Sequence, residues 1–116
     1  MDNRLFVRAL IVDVCQRDPV PEEFSRMRSA LDGLADPLPL RSVMARLLLD
    51  SDQTAVPPPH TGLDAASFVL NQFHRLLGRA PSPKEAEAFA AGLADPEGKP
   101  SMVVYALIAH PEYQSY

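Results

Sequence analysis

The chain has little of several things that usually announce a function. It holds a single cysteine, Cys15. A lone thiol forms no internal disulfide, which excludes the cross-linked framework of small secreted domains. Lying among Ile11, Val12 and Val14, it reads as a small buried hydrophobe. Positive charge is not in excess: eleven Lys and Arg stand against fifteen Asp and Glu, a net charge of −4. That argues against a general nucleic-acid binder. The apolar stretch from Leu5 to Cys15 is interrupted by Arg8 and Asp13, too short to span a bilayer and without the basic start of a signal peptide. The expected setting is soluble and cytoplasmic, with no membrane insertion.

The chemical motifs are also missing. His60, His74 and His110 show no i, i+3 or i+4 pairing and no C-x-x-C neighbour, so no metal site is expected. No glycine-rich phosphate loop or G-x-S-x-G elbow occurs. Asp50-Ser51-Asp52 lacks the glycine turn and distal glutamate of a calcium loop. Glu22-Glu23 and Glu85 with Glu87 fit helix N-termini, where acids complement the dipole, better than a catalytic pair. The expectation is a non-enzyme with no cofactor.

What is abundant is proline, twelve residues, about twice the roughly 5% average share. With 47% apolar residues the chain is too hydrophobic for disorder, and an internal repeat shows what the prolines are for. Phe6-Val7 matches Phe68-Val69 at an offset of 62. At that offset Arg17, Pro19, Pro21 and Glu23 match Arg79, Pro81, Pro83 and Glu85, so both halves carry R-x-P-x-P-x-E. Gly33-Leu34-Ala35-Asp36-Pro37 recurs as Gly92-Leu93-Ala94-Asp95-Pro96 at an offset of 59, where Leu48-Leu49 also meets Leu107-Ile108.

Each half reads as three helices, over 3–17, 21–35 and 39–51, then 64–78, 83–94 and 100–110. The fold expected is all-α: two tandem three-helix repeats, about six helices, packed as one small helical domain. The first repeat takes 1–52, a proline-rich connector takes 53–63, and the second repeat takes 64–116. Pro57-Pro58-Pro59 makes the connector extended and semi-rigid. No segment alternates with period two, which argues against strands. Leu40, Val43, Met44, Leu47 and Leu48 form one helical stripe, with Arg41, Arg46 and Asp50 opposite. Leu5–Cys15 and Met102–Ala109 are apolar nearly all round, and a chain this small cannot easily bury both.

Most prolines punctuate these helices. Ser82-Pro83-Lys84-Glu85 is a capping box with proline at the first helical position. The first repeat has Val20 at the cap position, so its second helix should start less firmly unless Asp18 caps it. Asp36-Pro37, Asp95-Pro96 and Pro111 end helices. Gly78 is a left-handed C-terminal cap. Its mate is Gln16, so this turn should differ between repeats. Arg17 and Arg79 follow, either as structural partners of helix-end carbonyls or acids, or as ligand contacts.

The second half carries Phe68-Val69, Phe73-His74-Arg75-Leu76-Leu77-Gly78-Arg79-Ala80-Pro81-Ser82, Ala86-Glu87-Ala88-Phe89, and Leu107-Ile108-Ala109-His110-Pro111-Glu112-Tyr113. This resembles a bacterial helical domain of unknown function that is itself similar to the phycobilisome linker repeat. The resemblance covers about 65–115 well and 4–52 weakly. The first half has Gln16 for the motif's glycine, and Asp52-Gln53-Thr54 where the second closes with Pro-Glu-Tyr. The resemblance implies an all-α docking and assembly unit with no catalytic residues. Light harvesting is not carried over, because such linkers are often basic while this chain is acidic and nothing in it marks a bilin-binding partner.

The leading functional expectation is a protein–protein interaction or scaffolding module that docks onto a partner complex or self-associates. His74, Arg75, Arg79, Tyr105, Tyr113 and Tyr116 are the candidate contacts, tyrosine being a common interface anchor. Tyr105 and Tyr113 have an alternative use in closing the core of the second repeat. A ligand-binding or enzymatic pocket between the repeats, near His74, Arg75 and Arg79, is an alternative. A weaker one is nucleic-acid binding through Arg4, Arg8, Arg26, Arg28, Arg41 and Arg46.

Overall fold

Helix-favouring residues cut by prolines become a chain of short helices. The computed structural model describes residues 1–57, 64–95 and 98–115. Among them there are no strands and seven helices. These are α1 (Asn3–Cys15), α2 (Pro21–Asp32), α3 (Leu38–Leu49), α4 (Ala65–Gln72), α5 (Pro83–Ala94), α6 (Pro100–Ile108) and the single turn α7 (Pro111–Gln114). A π-helical turn, Phe73–Leu77, extends α4. The triplets α1–α3 and α4–α6 are built alike: α1 packs on α2 and α3, and α4 on α5 and α6. The third helices, α3 and α6, pack against each other across the halves.

Local chemistry sets the helix starts. Asp2 caps α1 by accepting the Leu5 N–H at 2.7 Å. Asp64, its mate at the same offset of 62, caps α4 by accepting from Ala66 at 3.2 Å. Ser82 and Glu85 close the capping box of α5 around Pro83. In α2, Val20 offers no side-chain cap. Asp18 does not replace it, and α2 starts without a side-chain cap hydrogen bond. At the other end His110 caps α7, its Nδ1 accepting from Glu112 at 3.0 Å. Pro111 thus ends one helix and begins another, the turn that the six-helix reading lacks.

The turn expected to differ between halves is the same. Gln16 adopts φ 53°, ψ 44°, and Gly78 φ 70°, ψ 19°; each donates its N–H to the carbonyl four residues back, Val12 and His74. Gln16 therefore holds a left-handed conformation that costs a side-chain-bearing residue about 1–2 kcal/mol.

One buried cluster joins both halves, from Phe6, Val7, Leu10, Ile11 and Val14 of α1 to Val103, Val104, Leu107 and Ile108 of α6. The two most apolar helices are both central in this core but, as expected for a chain this small, neither is wholly buried. They leave out only a few large side chains, chiefly Leu5, Val12 and Met102.

The face of α3 is also corrected. Its buried residues are Arg41, Ala45 and Leu49. Leu40, Met44 and Leu48 sit half-buried at the edge, while Val43 and Leu47 are 50% and 65% exposed. The periodicity is ambiguous because α3 is apolar on most sides, and tertiary partners choose the arginine. Arg41, only 4% exposed, stacks over the Phe6 ring at 4.8 Å. It donates to the Met1 carbonyl at 2.9 Å, to Asn3 Oδ1 at 2.7 Å and 3.2 Å, and to Gln114 Oε1 at 2.9 Å. All of these acceptors are uncharged, and burial lowers its pKa.

The connector starts tied down, the Ala55 N–H donating to the Val14 carbonyl at 2.8 Å. Pro58 and Pro59 lie outside the described residues.

Candidate functional site

Two arginine nodes dominate the polar chemistry. Both come from R-x-P-x-P-x-E, where the arginine follows the first helix of a triplet and the glutamate stands in the first turn of the second. Arg79 makes a two-pronged pair with Glu85, Nη1 to Oε1 at 2.8 Å and Nη2 to Oε2 at 3.1 Å. It makes another with Glu112, at 2.8 Å on both prongs, and donates to the Ala80 carbonyl at 3.1 Å. Nε and both terminal nitrogens are thus engaged, and the guanidinium lies 5.3 Å from the Phe73 ring centre. These pairs raise the Arg79 pKa; they hold Glu85 down at about 2 and lower Glu112.

Arg17 repeats the pattern. It pairs with Glu23 at 3.0 Å and 3.1 Å and donates to the Asp18 carbonyl at 3.2 Å. Its remaining partner is Gln53 Oε1. Gln53 is the mate of Glu112 at the offset of 59. Asp52-Gln53-Thr54 therefore does serve as a closing segment, with an amide in place of the carboxylate. The offset holds the signal for this pair, but the missing Pro-Glu-Tyr letters hide it.

The candidate contacts divide. Arg79 is a helix-linking node with its donors engaged, so it is not a free contact. Tyr113 is corrected too: it is 2% exposed, buried against α1. Its ring meets Phe6 edge-on at 6.4 Å and its hydroxyl donates to Asp13 Oδ2 at 2.8 Å. It closes the core across the halves, 100 residues from Asp13, a distance that local sequence does not bridge. Burial raises the pKa of both Asp13 and Tyr113. Tyr105 is half-buried against the core. His74 and Arg75 are exposed; Arg75 donates to the Asp13 carbonyl at 2.7 Å and to Gln72 at 2.6 Å. His60 and Tyr116 lie outside the described residues. Cys15 is half-buried, and burial raises its thiol pKa, away from the reactive thiolate.

An open groove of about 510 Å³ lies in the first triplet, lined by Arg4, Leu5, Arg8, Asp18, Pro19 and Phe24. None of His74, Arg75 and Arg79 lines it. Of the six arginines offered for nucleic acid, Arg41 is buried and so is not on a surface. Arg28 pairs with Asp32 at 3.3 Å. Among the described residues no group of three or more His, Cys, Asp or Glu is placed to hold a metal ion. No helix among them is long and apolar enough to cross a membrane.

Comparison of the chain with family models, curated proteins and solved structures yields no match.

Proposed function

We propose that this chain is a non-enzymatic helical module for protein–protein docking or scaffolding, working in the cytoplasm on a protein partner or a second copy of itself. The observation that carries the reading is the solvent face of α3. Val43 and Leu47 stand one turn apart and half or more exposed, while the opposite face is committed to the core through Arg41, Ala45 and Leu49. Covering the exposed half or so of each such side chain stabilises by about 1–2 kcal/mol, and paired aliphatics on one helix face are the usual anchors of helix docking. The strongest polar groups, Arg79 with Glu85 and Glu112, are meanwhile engaged in joining helices. The resemblance of 65–115 to linker-type repeats supports the same reading. So does internal duplication, which we infer from the matched blocks: the doubled arginine node gives a stable frame whose outer faces are free to diverge.

The test is size-exclusion chromatography with light scattering on the wild type and on Val43→Glu/Leu47→Glu, with circular dichroism to establish that the variant is folded. Association of the wild type with itself or with a co-purifying protein, lost in the variant, supports the reading. A wild-type monomer at tens of micromolar that retains nothing sensitive to these substitutions overturns it.

A further inference from the structure

The groove on the first triplet sets two arginines whose charge is not already used beside apolar side chains. Arg26 and Arg46 also make no ion pair among the described residues, but they do not line it. Arg4 makes no hydrogen bond or ion pair among the described residues, and Arg8 only grazes Asp18 at 4.0 Å with both side chains largely in solvent. Arg17, Arg28, Arg41, Arg75 and Arg79 are each held by partners nearby. Arg4 and Arg8 lie four residues apart on α1, about 6 Å along the axis. Between and beside them the lining is apolar: Leu5, Pro19 and Phe24. The apolar track runs on past the groove through exposed Val12, one helical turn beyond Arg8, and Val20 beside Pro19.

We propose that this groove receives an acidic amphipathic segment of a partner protein, an inference that rests on the docking reading above. Aliphatic or aromatic side chains of the segment lie on Leu5, Pro19 and Phe24, and two carboxylates one helical turn apart meet Arg4 and Arg8. Charge complementarity selects the occupant, because carboxylates at i and i+4 of a helix match the spacing of the two guanidinium groups. The continuation of the track through Val12 and Val20 favours a segment over a small molecule, which would fill the groove and leave both valines bare. The second triplet offers no counterpart, since Ala66, Ser67 and Leu70 stand where the first has Arg4, Leu5 and Arg8. Asp18 faces the same arginines and competes for Arg8, which sets the sign of one substitution: removing its charge strengthens binding.

The experiment selects a phage-displayed peptide library on the intact protein, with counter-selection on Arg4→Glu/Arg8→Glu. The best sequence is then synthesised with a fluorescein label and titrated by anisotropy. Enriched peptides pairing Asp or Glu at i and i+4 with large apolar residues are the expected result. So are a loss of at least about tenfold in affinity on Arg4→Gln/Arg8→Gln, tighter binding to Asp18→Asn, and loss of binding when the peptide's apolar residues become serine. Circular dichroism identifies any variant that fails to fold; these side chains are on the surface, and the glutamine pair serves if the glutamate pair is impaired. No enrichment, enrichment without acidic residues, or equal binding to the arginine variants overturns the proposal. Labelled single-stranded DNA that binds with the same arginine dependence also overturns it, in favour of nucleic acid. If the groove takes no peptide while Val43→Glu/Leu47→Glu still abolishes association, this inference falls and the docking reading stands.

Discussion

The first triplet closes its arginine node with an amide and the second with a carboxylate. Arg17 meets Glu23 and Gln53; Arg79 meets Glu85 and Glu112. The turn before each arginine has the same left-handed shape, built once from Gln16 and once from Gly78. The second triplet is therefore the more conventional piece, with a glycine cap, a full capping box and two acids on its arginine. The first keeps the shape with poorer local materials and makes up for it in tertiary contacts: Arg41 under the chain start, Phe6 against Tyr113, Ala55 on Val14. What the two triplets share is the fork between the arginine of R-x-P and the glutamate of the next helix; their closing segments and outer faces differ.

The largest effect should come from breaking the tertiary side of that comparison. Phe6→Ala removes a fully buried ring that carries both Arg41 and Tyr113, and should cost about 3–5 kcal/mol in urea unfolding. Phe68→Ala, at the matching position of the second triplet and without that pair of contacts, should cost less. Next is a glycine contrast. A Cβ on Gly98 would lie 2.2 Å from the Gly92 carbonyl oxygen, so Gly98→Ala should cost about 1–3 kcal/mol. Gly92, inside α5 with no neighbour in the way of a Cβ, should gain about 0.5–1 kcal/mol on Gly92→Ala.

Smaller effects sharpen the comparison. Tyr113→Phe leaves Asp13 without its hydroxyl donor and should cost about 1–2 kcal/mol. Gln16→Gly relieves the left-handed strain but loosens the unfolded chain, and should stabilise by about 0.5–1 kcal/mol. The smallest is Gln53→Glu, which gives Arg17 the second carboxylate that Arg79 has. Glu23, Glu85 and Glu112 all titrate below their usual range because of their arginines. Each therefore adds stability above the ordinary glutamate pKa, and that stability is lost as the pH falls, for Glu85 down to about 2. The carboxylate introduced by Gln53→Glu should behave alike, raising the melting temperature at neutral pH with the gain fading in acid. Asp13 works in the opposite sense, since its pKa is raised: its contribution is full in acid and declines as the pH rises above the ordinary aspartate value.

What the sequence makes legible is local. Pro83 with Ser82 and Glu85, Gly78 as a cap, and the paired R-x-P-x-P-x-E each specify geometry within a few residues, and most helix limits fall within about two to three residues of those read from pattern. Asp2 and Asp64 are equally readable as matched caps, yet the pattern reading passes over them, as it does His110 before Pro111. The site-bearing features are not legible, because partners distant in the chain decide them. The rotation of α3 depends on Asn3, Gln114 and Phe6 receiving Arg41, and the burial of Tyr113 depends on Asp13. The exposed pair Val43 and Leu47 follows from that rotation, so no periodicity confined to α3 could find it.

The solvent face of α3 is the proposed docking surface. A photo-crosslinking residue at Leu47, with a control at exposed Glu22 of α2, tests it most directly, first in the purified protein and then in cell extract. The expected result is a discrete adduct from position 47, with a second copy or one protein partner, that Val43→Glu abolishes and that the control does not give. No adduct at 47, or the same adducts from both positions, would contradict it.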